Sequence, residues 1–104
     1  MDAYSHMLRS VPLFRHCTDE EIAALREIGR FSSIKKGQSF DLRRINSFNV
    51  VIDGAFEIEA LGRTDIVYLA PGSFFGNVPF TDNRLRGTIR AMVDSTLMLF
   101  SMEE

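Results

Sequence analysis

VVIDGAFEIEA, residues 50–60, carries Asp53-Gly54 between two strand-like runs. An Asp-Gly step flanked by apolar residues is a strong short-range signal for a β-hairpin, because glycine accepts the positive φ that such a turn requires. Past the turn, Phe56, Ile58 and Ala60 fall on one side and Glu57 and Glu59 on the other. That period of two describes a strand with one face in the core and one in water.

The same texture extends in both directions. Short apolar, β-branched or aromatic runs predict strands near 31–35, 38–43, 48–52, 55–61, 65–70, 86–93 and 96–101. Turn residues separate them: KKG at 35–37, RIN at 44–46, GRTD at 62–65, PG at 71–72, TDN at 81–83 and DS at 94–95. Many short strands with frequent turns imply a mainly β sandwich or barrel. Upstream, TDEEIAALREIGR (18–30) reads as a helix. Thr18 and Glu21 have capping-box spacing, Asp19, Glu20 and Glu21 suit the positive end of the helix dipole, and Gly29 marks the end. Ile22, Leu25 and Ile28 are expected on its buried face. In the lead-in before it, Met7, Leu8, Val11, Leu13 and Phe14 are expected to pack on the core. Pro12 is expected to limit any helix there to about one turn. The chain thus reads as one domain, residues 1–104, with a helical lead-in over 1–30 and β structure over 31–104.

Composition excludes several classes. The 104 residues are 45% hydrophobic and 25% charged, an ordinary globular balance, and the net charge is −2. No basic stripe supports direct nucleic-acid binding. Cys17 is the one cysteine, so no internal disulfide forms. No run is long enough to span a bilayer, and MDAYSHMLRS lacks the apolar core of a secretory signal. A cytoplasmic location without membrane contact is expected. His6 and His16 both precede the β region, without the spacing of a metal site or of a Ser-His-Asp set, and no pair of carboxylates converges. The expectation is a non-enzymatic protein with no metal and no cofactor.

The segment PGSFFGNVPFTDNRLRGTIRAM, residues 71–92, is the most suggestive functionally. Phe74 and Phe75 are adjacent, and together with Phe100 they are the aromatics expected to be most buried. Gly76 lacks a Cβ, so either a ligand or another backbone can approach it closely. Amide groups around Asn77 and Val78 can open a short helical turn, which offers oriented donors to an anion. Arg84 or Arg86 would complete a paired anion site. The competing account is a solvated connection between strands. Arg43 and Arg44 read as a solvated turn, with contact to a partner or ligand as the alternative.

Taken in order, these pieces resemble the cyclic-nucleotide-binding domain of the catabolite-activator-like superfamily. LFRHCTDEEIAAL is similar to its entry segment and first helix, IKKGQSF to a glycine turn, and VVIDGAFEI to its glycine-tipped hairpin. LAPGSFFGN resembles the approach to the phosphate-binding cassette, and RGTIRAMVDSTLMLF the strands leaving it. The resemblance runs from about Leu8 onward. It implies a double-stranded β-helix, or jelly roll, with an N-terminal α-helix and a short helical turn in the cassette. It also implies a regulatory domain that binds cyclic AMP, cyclic GMP or another anionic, phosphate-bearing small molecule.

The implied pocket comprises Phe75, Gly76, Asn77, Val78, Arg84, Arg86, Gly87 and Thr88. Backbone amides past Gly76 would hold the phosphate, Arg86 would neutralise it, and Thr88 would hydrogen-bond the ligand. Asn77 stands where the family has a ribose-binding glutamate, so that contact loses its charge assistance. Phe80 is bulkier than the family residue, and strict register puts Leu85 at the phosphate arginine, with Arg84 and Arg86 flanking it. The family usually continues past the position of Glu104 into a long helix, and its transcription factors carry a DNA-reading domain; neither lies in these residues. The alternative is a ligand-free interaction or dimerisation module of the same fold. Leu97, Leu99, Met98, Phe100 and Met102 give the last strand two apolar faces. A homodimer or protein partner is therefore expected to cover the second.

Overall fold

The computed structural model describes residues 3–62, 64–76 and 86–101. Helix α1 (Ala3–Ser10) leads through a 3₁₀ turn (Pro12–Phe14) to α2 (Asp19–Ile28). Strands β1 (Arg30–Ile34) and β2 (Ser39–Asp41) follow, then a second 3₁₀ turn (Leu42–Arg44) and β3 (Ser47–Asp53). The remaining strands are β4 (Phe56–Ala60), β5 (Ile66–Leu69), β6 (Phe74–Gly76), β7 (Gly87–Ala91) and β8 (Ser95–Ser101). They form two antiparallel sheets, ordered β1-β8-β3-β6 and β2-β7-β4-β5. Every step between consecutive strands crosses from one sheet to the other except β4 to β5. That alternation is a double-stranded β-helix, the jelly roll expected from the sequence.

The Asp53-Gly54 step is not the hairpin it was read as. It is a corner that carries the chain from β3 in the first sheet to β4 in the second. Gly54 has φ +95°, as the turn signal requires, but a Cβ there would also lie 2.5 Å from the Cβ of Ser95. The Ala55 amide donates to Ser95 Oγ at 3.2 Å and the Met92 amide donates to the Ala55 carbonyl at 2.9 Å. The signal encodes a local backbone conformation and not the strand's partner. The hairpin within one sheet is at the next turn, after Ala60, where Gly62 has φ +81°.

The first sheet is buried on both faces. Ile34, Val51, Phe75 and Leu97 face the second sheet and meet Phe56, Ile58 and Ile89 in the inner core. On the outer face, Phe48, Val50, Met98 and Phe100 pack against Leu8, Val11, Phe14 and Ile22 of the helical lead-in. Phe14 meets Phe100 edge-on, with centroids 6.2 Å apart. This corrects the expectation for the last strand: Met98 and Phe100 are covered by the chain's own helices, so that face does not call for a second subunit. Met102 lies outside the described residues.

The helices follow local chemistry with three departures. The capping box of α2 is closed: the Glu21 amide donates to Thr18 Oγ1 at 3.1 Å, and the Thr18 amide donates to Glu21 Oε1 at 2.9 Å. Gly29 ends the helix at φ −78°, which any residue adopts; a side chain there would collide with Met98. Ile22 is buried, but Ile28 is 66% exposed, because Gly29 occupies the sheet-facing position of that last turn. Pro12 does not shorten α1 to one turn. It constrains only Val11 (φ −74°, ψ 124°), and fully buried Leu8 anchors the eight-residue helix behind it. The Arg9 guanidinium ties α1 to α2 by donating to the Cys17 carbonyl at 3.2 Å and pairing with Asp19. Leu13 points outward.

Phe75 and Phe100 are buried as expected, but Phe74 is 42% exposed and Phe56 is the fully buried ring. Side chains alternate along β6, so only one of two adjacent phenylalanines enters the core. Removing the Phe56 ring (Phe56→Ala) is expected to cost about 3–5 kcal/mol in urea unfolding, and Phe74→Ala clearly less. Hydrogen bonds from Thr18 hold the Glu21 carboxyl below its ordinary value of 4.5. A carboxyl depressed in the folded state stabilises the fold above that value, and the contribution is lost as pH falls through the folded value. Acid unfolding of Glu21→Gln should therefore be flatter below pH 4.5 than that of the parent chain.

Candidate functional site

Antiparallel register places at one end of the roll residues 42–46, the end of β4, the last residue of β6 and the first of β7, so the segment between β6 and β7 leaves and returns there. Gly76 and Gly87 stand at the two ends of that segment. Gly76 has φ +98°. A Cβ built there would lie 3.1 Å from Ile45 Cγ2, 2.9 Å from Asn49 Nδ2 and closer still to the Ser47 carbonyl oxygen. Of the two approaches open to Gly76 in the sequence, another backbone is the one observed: β3 fills the space. Gly87, at φ +140°, is pressed against β4, where a Cβ would sit 3.0 Å from the Ala60 Cα. The Leu61 amide donates to the Arg86 carbonyl at 2.7 Å and fixes the chain at the start of β7.

The residues predicted for the pocket are not all brought together. Phe75 is buried in the inner core, its ring 5.9 Å from that of Phe56. Arg86 is exposed at the mouth of the roll. Thr88 faces the other way. It lies opposite Glu59 on β4 and Asp41 on β2, and lines a groove on the outer face of the second sheet with Glu57, Ile66 and Arg90. Arg90 pairs with Glu57 on that same face. Asn77, Val78, Arg84 and the expected short helical turn lie outside the described residues.

Sequence reading gave too little weight to the 42–46 connection. A hollow of about 290 Å³ opens into the roll beside Gly76, walled by Ile34, Phe75, Leu97 and Leu99, with Arg44 at its edge and Asn49 within. Asn49 is 2% exposed between Phe48 and the Val50-Val51-Ile52 run of β3, which is the signal that marks it in the sequence. The Asp41 carboxyl is held below its ordinary value of 3.8, first by the hydrogen bond from the Arg43 amide (2.9 Å) and also by the Arg43 guanidinium and the nearby charge of Arg44. Arg43 and Asp41 thus engage each other, and Arg44 makes no ion pair among the described residues. Those residues contain no group of three or more His, Cys, Asp or Glu able to hold a metal, and no helix long and apolar enough to cross a membrane.

Solved structures align with nearly the whole of this roll. PKAR CBD2 with Sp-2Cl-cAMPS bound superposes with a TM-score of 0.76 at 18% identity, covering 94% of this chain and 68% of that one. This is the cyclic-nucleotide-binding-domain fold. The sensor domain of the transcriptional regulator DNR from Pseudomonas aeruginosa aligns with a TM-score of 0.73 at 23% identity, covering 94% of this chain and 71% of that one. A protein of a cyclic-GMP-dependent signalling pathway that regulates bacterial phytopathogenesis is 28% identical, with a TM-score of 0.62, over 81% of this chain and 72% of that one. No family model matches the chain, and no curated protein does. By name, the first of these neighbours holds a cyclic-AMP analogue and the second is the sensor domain of a transcriptional regulator.

The glycines of the cyclic-nucleotide-binding-domain fold are separable by experiment. Gly37 has φ +89° but open space around its Cβ position, whereas Gly76 combines φ +98° with contact against β3. Gly37→Ala should cost about 1–2 kcal/mol, the left-handed penalty alone. In the same urea series Gly76→Ala should cost more, because β3 must also move.

Proposed function

We propose that this domain is a non-enzymatic, cytoplasmic regulatory sensor that takes a cyclic nucleotide or another phosphate-bearing ligand at the roll end where Gly76 and Gly87 stand. The observation that carries the reading is the pair of pinned glycines. Gly76 and Gly87 fix both ends of the connection between β6 and β7, and Arg86 emerges exposed beside it. In this reading, amides past Gly76 hold the phosphate, Arg86 or Arg84 neutralises it, and Asn77 gives the sugar an uncharged acceptor. An amide in place of a carboxylate weakens that hydrogen bond about twofold, so an affinity below that of a glutamate-bearing cassette is expected. Thr88, on the opposite face of its sheet, is left out of the pocket.

One observation favours a second reading. The space that a side chain at Gly76 would fill is occupied by Ser47 and Asn49. The glycine is therefore required for packing whether or not a ligand binds, and the cassette would then be kept for its shape by a ligand-free interaction or dimerisation module.

Calorimetric and thermal-shift titrations with cyclic AMP and cyclic GMP separate the two. A ligand at a hundred times its Kd contributes about 2.7 kcal/mol, which for a domain of this size raises Tm by roughly 10 °C or more. The sensor reading predicts such a shift with at least one nucleotide and its loss in Arg86→Ala or Arg84→Ala. Absence of heat and of any Tm shift at millimolar ligand, in protein shown to be folded, would leave the module.

A further inference from the structure

The hollow inside the roll does not need the phosphate site to be a site in its own right. It is a half-open cleft of about 290 Å³, not a sealed void, and most of its lining surface is apolar. Ile34, Phe75, Leu97 and Leu99 wall it. Its most buried polar group is already engaged: Asn49 Nδ2 donates to the Ser47 carbonyl at 2.9 Å and to Ser47 Oγ at 3.0 Å. A mostly apolar lining of this kind favours an occupant with an apolar part.

Charge then selects the head group. Among the described residues lining the hollow, Arg44 is the charged one, and no carboxylate shares the wall. Asp41, the acid near Arg44, is already engaged by the Arg43 amide and guanidinium. A guanidinium beside an apolar hollow suits a planar carboxylate, which it can bind through two parallel N–H donors. We infer that this hollow binds a small amphipathic carboxylate, an aliphatic chain of about eight carbons, with its tail between Leu97, Leu99, Ile34 and Phe75 and its head on Arg44.

The size and chemistry match the general form of small-ligand sites, mostly apolar with a few placed polar groups. The site differs from the proposed phosphate site in its residues and in its ligand. It draws on the inner faces of β1, β3, β6 and β8 and on the 42–46 connection, and uses neither Arg84 nor Arg86.

The test is an NMR titration of methyl-labelled full chain with octanoate and, separately, with octanol, which keeps the tail and removes the charge. Saturable shifts are expected at the methyls of Ile34, Leu97 and Leu99, with octanoate at least fivefold tighter than octanol. Arg44→Gln should abolish that preference while leaving octanol binding unchanged. Lys36→Gln, at the far end of the roll, should leave the preference intact. Ser32→Leu, which puts a side chain into the hollow, should abolish binding of both probes in protein whose spectrum is otherwise folded. The inference is overturned if octanoate gives no saturable shift, if Arg44→Gln retains the preference, or if the shifts fall on the outer face around Ile66 instead.

Discussion

Backbone pressed against its neighbours at two glycines holds one end of this roll. Gly76 lies against Ser47 and Asn49 of β3, and Gly87 against Glu59 and Ala60 of β4. Neither contact survives a Cβ, and both glycines have positive φ. The first contact lets β6 pair with β3 up to its last residue. The second lets β7 pair with β4 from its first. The connection between them starts in one sheet and ends in the other, so these contacts set where its two ends stand. The exposure of Arg86 and the burial of Phe75 both follow.

A second constraint acts across the first sheet. β8 inserts Leu97 and Leu99 toward the inner core and Met98 and Phe100 toward the helices. Both faces are used, so polar chemistry is displaced to the ends of the roll and to the outer face of the second sheet. That outer face carries Glu57, Glu59, Thr88 and Arg90 in register. The end near Gly76 carries Arg44 and Arg86 instead. The division explains why Thr88 parts company with the other predicted pocket residues: from Gly87 onward, side chains alternate, and Ile89 takes the inward position.

Much of the fold was legible because it rests on local rules. The capping box at Thr18 and Glu21, the alternation from Phe56 to Ala60 and the burial of Phe75 and Phe100 need only neighbours in the chain. What failed needed partners far away in sequence. Asp53-Gly54 announced a turn correctly, but whether β4 pairs with β3 or crosses to the other sheet depends on the fit of Gly54 against Ser95. β6 is three residues long, too short to display a period, so it read as part of a loop. Met98 and Phe100 were recognised as apolar, yet their cover comes from residues more than seventy positions earlier. At the site, Gly76 was legible as a close approach but not which group approaches. Arg44 was read as solvated in preference to a ligand or partner contact, because a pair of arginines in a turn looks the same in sequence whether it faces water or a hollow.

The central claim is that the end of the roll bounded by Gly76 and Gly87 is where a ligand acts. Amide spectra of uniformly labelled protein, recorded as a cyclic nucleotide is added, test it directly, since glycine amides are well separated from most others. The account predicts that the amides of Gly76, Arg86 and Gly87 move together and saturate, while Gly37 and Gly54 at the opposite end stay still. Resonances that all remain fixed at millimolar nucleotide, or shifts confined to the outer face around Glu57 and Tyr68, would contradict it.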